Sequence, residues 1–149
     1  MKTYTILLLL LALPLLAACG KQGGGKDGVT TIASAPPATD LIGQRFILQS
    51  VNGTAVTWEN RPEIEFGAGQ AGMTVFGQVC NRFTGPAFYE NSILKAPNMA
   101  MTMMFCIDPA LNQLESDFAA LLRDGARLGL EEDALVLSGE TIRLVYIRQ

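Results

Sequence analysis

Residues 108–125 read DPALNQLESDFAALLRDG, and they predict the one helix of the folded domain. Asp108 is a typical N-cap, and Pro109 suits the first helical position. Gly125 predicts where the helix ends. Apolar residues recur at helical spacing, at Leu111, Leu114, Phe118, Leu121 and Leu122. Because a helix with one apolar stripe has to bury it against another element, this segment calls for a sheet to pack on.

Short strand-like segments lie on both sides of this helix. The predicted strands before it are 45–51, 63–66, 73–80, 86–89 and 92–95, and those after it are 128–130, 135–137 and 142–147. Asn52-Gly53 is a strong hairpin signal, and the glycines within residues 67–72 predict a turn. The chain is therefore expected to have a mainly β fold, of the α+β class.

Residues 99–105 read MAMTMMF, which places Met99, Met101, Met103 and Phe105 on one face of a predicted strand. A methionine stripe can indicate a copper or heme site. The repeat here has a period of two, however, and the chain contains no histidine to accompany it. We therefore predict that these side chains fill the core.

The composition excludes several classes of chemistry. The absence of histidine removes Ser-His-Asp and Cys-His nucleophile pairs and the commonest ligand of transition metals. We find no phosphate-binding or dinucleotide motif, and no basic cluster that would bind nucleic acid. Acidic pairs such as Glu63 and Glu65 are interpreted as solvated charge on a strand face. We expect a protein that is not an enzyme and has no cofactor or metal.

Three cysteines occur, at positions 19, 80 and 106. In an oxidising compartment, Cys80 and Cys106 are most simply a disulfide, with two reduced buried thiols as the alternative. A thiol redox role is disfavoured because the two cysteines do not form a Cys-x-x-Cys motif.

Residues 79–85, VCNRFTG, form the other notable segment. Asn81 suits an unusual turn, and Arg82 offers a planar fork to a carboxylate or phosphate. One interpretation is an interaction corner at which Asn81 and Arg82 contact an anion or a peptide. The favoured interpretation is a structural corner in which Arg82 pairs with a neighbouring acid.

The N-terminus has the features of a lipoprotein signal peptide, predicted over residues 1–18. Lys2 precedes an apolar run, and Leu16-Ala17-Ala18-Cys19 resembles a lipobox, in which the cysteine is diacylated and becomes the new N-terminus. Gly20, and not Asp, follows the cysteine, and by resemblance to Gram-negative sorting signals this favours the outer membrane, with the protein facing the periplasm. Residues 19–39 are rich in glycine, proline and small residues and predict a flexible tether, which leaves 40–149 as one domain.

Taken together, residues 79–85, the strand 101–106 and the helical residues 114–118 resemble the META/HslJ-like domain family over about 43–147. Val79 stands where the family usually has glycine, and Phe46 where it often has tryptophan. The resemblance implies a single antiparallel, lipocalin-like barrel with one packed α-helix. Members are linked to envelope stress, heat response and antibiotic tolerance, without an established enzymatic activity.

The expected function is that of a non-enzymatic envelope lipoprotein, held to the membrane through Cys19. It would bind a protein or another envelope component in stress response or antibiotic tolerance. The alternative is a carrier of a small apolar ligand or lipid, because the mouth of a barrel can hold such a molecule.

Overall fold

The computed structural model describes residues 35–70 and 72–149. The predicted signal peptide, Cys19 and most of the predicted tether lie outside these residues. Within them, no helix is both long and apolar enough to cross a membrane. The elements are a 3₁₀ helix at Ala38–Asp40, β1 Arg45–Val51, β2 Thr54–Ala55, β3 Glu63–Gly69, β4 Gly72–Gln78, β5 Arg82–Glu90, β6 Ile93–Lys95, β7 Ala100–Met101, α1 Pro109–Asp124, β8 Ala126–Glu131, β9 Ala134–Ser138 and β10 Arg143–Arg148.

Eight antiparallel strands form a closed barrel. Their order is β1-β3-β4-β5-β6-β8-β9-β10, and β10 returns to pair with β1, from Phe46 opposite Arg148 to Val51 opposite Leu144. The two remaining strands are short additions: β2 forms a hairpin with β1, and β7 pairs with β5. The prediction of a mainly β, single antiparallel barrel with one helix is confirmed.

Side chains fill the barrel interior: strands such as β1 and β3 alternate buried residues with more exposed ones, and the buried ones point inward. The Phe46 and Phe66 rings meet edge to face, with their centroids 6.0 Å apart. Helix α1 adds its apolar stripe to the same core, and the Phe118 ring lies 4.9 Å from that of Phe83. The largest fully buried side chains are Tyr146, Phe46, Phe66, Phe118, Leu41, Leu48, Ile64, Leu94, Leu122, Leu128, Leu135 and Leu137.

The predicted turn at 67–72 is longer than the observed one. Strand β3 continues to Gly69 and β4 begins at Gly72, so only two residues join them. The glycines of β3 serve its packing: a Cβ on Gly67 would lie 2.9 Å from the Thr74 hydroxyl oxygen, and one on Gly69 would lie 2.8 Å from the Thr74 methyl group. Glycine here makes room for a cross-strand neighbour, which composition alone does not distinguish from a turn.

The end of the predicted tether contacts the barrel. Pro36 is buried, and its carbonyl accepts a hydrogen bond of 2.9 Å from the Tyr89 hydroxyl. The 3₁₀ helix at Ala38–Asp40 then leads to Leu41, which is fully buried. Pro36 and Ala38, which fall within the predicted tether, therefore pack with the barrel.

Gly77 is a position at which a side chain would disrupt the barrel. Its φ is +157°, and an added Cβ would lie 2.2 Å from the Glu63 carbonyl oxygen and 2.9 Å from the Phe83 ring. We expect Gly77→Ala to lower the free energy of unfolding by about 3 kcal/mol, measured by urea denaturation. Gly53→Ala is the matched control, since Gly53 also has positive φ but open space around it. Equal losses for the two variants would contradict the collision argument.

Candidate interaction site

Asn81 lies at the corner between β4 and β5 and is 2% exposed, the one buried polar residue of the described chain. Its Oδ1 accepts hydrogen bonds from the Met104 N–H at 2.7 Å and the Thr102 hydroxyl at 3.0 Å. Its Nδ2 donates to the Met104 carbonyl at 2.9 Å and to Glu115 Oε1 at 2.8 Å. A carboxamide has two donor hydrogens and two acceptor positions, and all four are in use. Asn81 therefore holds the structure together and has no capacity left for a ligand.

Glu115 of α1 binds the same corner from the helix side. Its Oε2 accepts the backbone N–H of Cys80 at 3.1 Å and that of Asn81, while Oε1 accepts from the Asn81 side chain. The sequence analysis did not single out Glu115. The sequence feature that could have indicated its role is its position beside Leu114 and three residues before Phe118, at the edge of the apolar stripe. A carboxylate at this edge reaches the surface on which the helix packs.

Cys80 and Cys106 are joined by a disulfide, with their Cα atoms 6.2 Å apart. The backbone of Cys106 is also held by Asn112 of α1. Asn112 Oδ1 accepts the Cys106 N–H at 3.1 Å, and Asn112 Nδ2 donates to the Cys106 carbonyl at 2.6 Å. The corner, the chain after β7 and the start of α1 are therefore joined by a covalent bond and by two side-chain carboxamides.

Between these fixed points, the large apolar side chains of residues 103–107 project into solvent. Met103 is 98% exposed, Phe105 88% and Ile107 99%, and Met104 is also exposed. Phe88 is the only other exposed large apolar side chain of the described residues. We call residues 103–107 the apolar segment.

The prediction that Met103 and Phe105 fill the core is therefore wrong, whereas Met99 and Met101 do pack partly against it. Strand β7 ends at Met101, and the last backbone bond to β5 joins the Thr102 N–H to the Arg82 carbonyl at 3.0 Å. Beyond Thr102 no strand of the described residues covers the side chains of Met103 and Phe105. The period of two correctly placed them on one face, but the period does not reveal whether that face is covered.

Arg82 differs from its neighbour Asn81. Its backbone is bonded to Thr102, but its exposed guanidinium has no hydrogen bond or ion pair to any described residue. The expected pairing with a neighbouring acid is absent from that part of the chain. Arg82 instead lines a groove of about 670 Å³ on the outer barrel face, together with Arg45, Glu63, Glu65, Phe76 and Met101. We call this the outer groove.

The helix start is tied to the barrel by the only tryptophan of the chain. Trp58 Nε1 donates to Asp108 Oδ2 at 2.7 Å, while Asp108 Oδ1 accepts the Ala110 N–H at 2.8 Å as an N-cap. Hydrogen bonds from Trp58 and then from the Ala110 backbone hold the pKa of the Asp108 carboxyl below its ordinary value. The predicted N-cap at Asp108 is confirmed.

These features define a class of small antiparallel β-barrel, in which a disulfide and a buried carboxamide join a barrel corner to the approach to a single helix. The chain belongs to the META domain family, whose family model matches residues 39–149. The resemblance noted in the sequence is thus confirmed.

Individual relatives agree with this assignment. The chain is 41% identical over 103 residues to the heat shock protein HslJ of Escherichia coli strain K12, which covers 68% of this chain and 71% of HslJ. One similar protein structure, solved by NMR, is 38% identical, has a TM-score of 0.67 and covers 75% of this chain and 94% of its own. A second NMR structure, from Burkholderia xenovorans, is 18% identical with a TM-score of 0.58, covers 80% and 94%, and supports the fold alone.

Removing the Asn81 carboxamide should destabilise the corner. Asn81→Ala leaves the Met104 N–H and carbonyl without partners, and we expect a loss of about 3 kcal/mol in the free energy of unfolding, measured by urea denaturation. Arg82→Ala is the adjacent control and should change this free energy by less than about 0.5 kcal/mol. A similar loss of unfolding free energy in both variants would contradict this prediction, because it would show that the loss does not depend on the hydrogen bonds of Asn81.

Acid titration should be visible at the helix start. Because the folded-state pKa of Asp108 is lowered, its ionised form stabilises the fold above the unfolded-state pKa, and this stabilisation is lost as the pH falls through the folded-state pKa. We expect Trp58 emission to change in that acidic range while circular dichroism still reports a folded barrel. Asp108→Asn should abolish the change, and an unaltered transition in that variant would assign it to another group.

Proposed function

We propose that this chain is a non-enzymatic lipoprotein of the bacterial envelope that binds another envelope protein through its apolar segment. The observation that carries the proposal is the exposure of Met103, Phe105 and Ile107. Their backbone is held at Met104 by Asn81 and at Cys106 by the disulfide. The relative named heat shock protein HslJ supports a role in stress response, which we propose to include antibiotic tolerance.

Exposed apolar side chains of this size are normally avoided. Burying one such side chain is worth about 1.5–3 kcal/mol, so a fold that displays several adjacent ones forgoes a substantial stabilisation. Contiguous exposed apolar surface on a soluble domain is typical of an interaction site. The bracing by Asn81, Asn112 and the disulfide adds to this argument, because a segment that is already ordered loses little conformational entropy on binding.

The N-terminal sequence supports the proposed location. The apolar run of residues 6–18 and the lipobox-like Leu16-Ala17-Ala18-Cys19 support a diacylated anchor, and Gly20 favours the outer membrane with the domain facing the periplasm. A disulfide between Cys80 and Cys106 is the kind of bond that persists in an oxidising envelope compartment.

The carrier alternative has less support. A carrier needs an internal cavity, and the interior of this barrel is occupied by fully buried aromatic side chains such as Phe46, Phe66 and Tyr146. The outer groove opens to solvent beside β3 and β5, where Glu63 and Glu65 alternate with buried residues and Arg82 is exposed. A protein surface therefore fits the available binding features better than an enclosed apolar ligand does.

Crosslinking in intact cells tests the proposal. The anchored protein is crosslinked and purified, and its companions are identified by mass spectrometry, for the native chain and for the triple variant Met103→Ser, Phe105→Ser, Ile107→Ser. We expect one reproducible envelope protein with the native chain and about a tenfold lower yield with the triple variant. Phe88→Ser is the matched control, since Phe88 is an exposed apolar residue outside the segment. An unchanged yield, or a bound lipid with no protein, would overturn the proposal.

A further inference from the structure

We infer that the apolar segment is an open β-strand edge, to which the partner adds an extended, uncharged apolar strand of its own. This inference rests on the proposed function and specifies how the binding occurs.

The backbone of this stretch is paired on one side only. The N–H groups of Thr102, Met104 and Cys106 are bonded to the Arg82 carbonyl and to the side-chain oxygens of Asn81 and Asn112. Each of the two carboxamides accepts the N–H of one residue and donates to the carbonyl of the same residue, as a neighbouring strand does. Every second residue is thus bonded toward the barrel, as in a strand at the edge of a sheet.

The other side of the stretch has no partner in the described chain. The backbone N–H and C=O groups of Met103 and Phe105 make no hydrogen bond to residues 35–70 or 72–149. Proteins usually protect such an edge with a charged side chain, often lysine, or with a proline. Residues 102–107, TMMFCI, contain neither. An unprotected edge that is also braced is a template for strand addition, in which main-chain bonds supply affinity.

The side chains determine what kind of strand would fit. Met103 and Phe105 are almost fully exposed, and Met104 between them is also exposed, so an added strand would meet apolar side chains along this stretch. The outer groove adjoins them through Met101 and Thr102. Apolar or β-branched side chains are therefore the chemistry that the edge matches.

The charges of the outer groove favour an uncharged partner. Arg45 is ion-paired with Glu63, and Arg82 and Glu65 line the same groove, so two cations are balanced by two anions. Helix α1 approaches the corner with Glu115, which is already bonded to Asn81. This surface lacks the excess of positive charge that attracts an anionic bilayer.

Hydrogen exchange on the full chain, resolved to single amides, tests the inference. The probe is a synthetic eight-residue peptide of alternating Val and Thr, and its control is the same peptide with every backbone nitrogen methylated, which keeps the side chains but cannot donate hydrogen bonds. We expect the peptide to slow exchange at Met103 and Phe105 by about tenfold, and the methylated peptide to have no effect. The triple serine variant should lose the protection, while Phe88→Ser should keep it.

Three results would overturn strand addition. One is the absence of protection at a peptide concentration of about 1 mM, the weak end of specific binding. Another is binding to vesicles of phosphatidylethanolamine and phosphatidylglycerol that depends on the apolar segment, which would make a membrane the occupant. The third is protection of the same amides without peptide together with a dimer in sedimentation, which would make a second copy the occupant. The crosslinking result is independent of these, so a protein partner found there would leave the proposed function standing without strand addition.

Discussion

The buried carboxamide of Asn81 connects three parts of the chain that the sheet leaves separate: the corner between β4 and β5, the stretch that follows β7, and helix α1. Burying an amide is unfavourable unless its donors and acceptors are satisfied, and here all of them are. Because Met104 is bound through both its N–H and its carbonyl, the amide fixes the direction of the backbone as well as its position. The exposure of the neighbouring side chains is a consequence of this constraint.

The disulfide acts on the same region by a different mechanism. A bond between Cys80 and Cys106, 26 residues apart, restricts the unfolded chain and contributes about 3 kcal/mol on the chain-entropy model. The hydrogen bonds of Asn81 and Asn112 act in the folded state, where they determine which backbone groups point toward the barrel. The disulfide limits the unfolded conformations that compete with the fold, and the hydrogen bonds set the local geometry of the folded state. Neither effect replaces the other.

The features that could be predicted from the sequence are those with local causes. The helix predicted over 108–125 agrees with α1 at Pro109–Asp124, because the Asp108 cap, the apolar stripe and Gly125 are signals within the segment itself. The role of Glu115 could not be predicted in the same way, since its partners are 34 and 35 residues distant along the chain. The burial of Met103 was wrongly predicted for a related reason: whether a strand face is covered depends on the extent of the neighbouring strand, and β5 supplies a partner only as far as Arg82.

Exposure and rigidity are coupled in this site. A flexible loop that carried Met103, Phe105 and Ile107 would cover them against the barrel, or it would lose conformational entropy when a partner bound. In this chain the ordering is completed by folding, because Asn81 and Asn112 bind the backbone of Met104 and Cys106 and leave the apolar side chains of the segment exposed. The groups that fix the geometry are therefore different from the groups that would meet a partner under the proposed function. Substituting the exposed side chains would change the surface offered to a partner and would leave intact Asn81 and the disulfide, which hold the backbone.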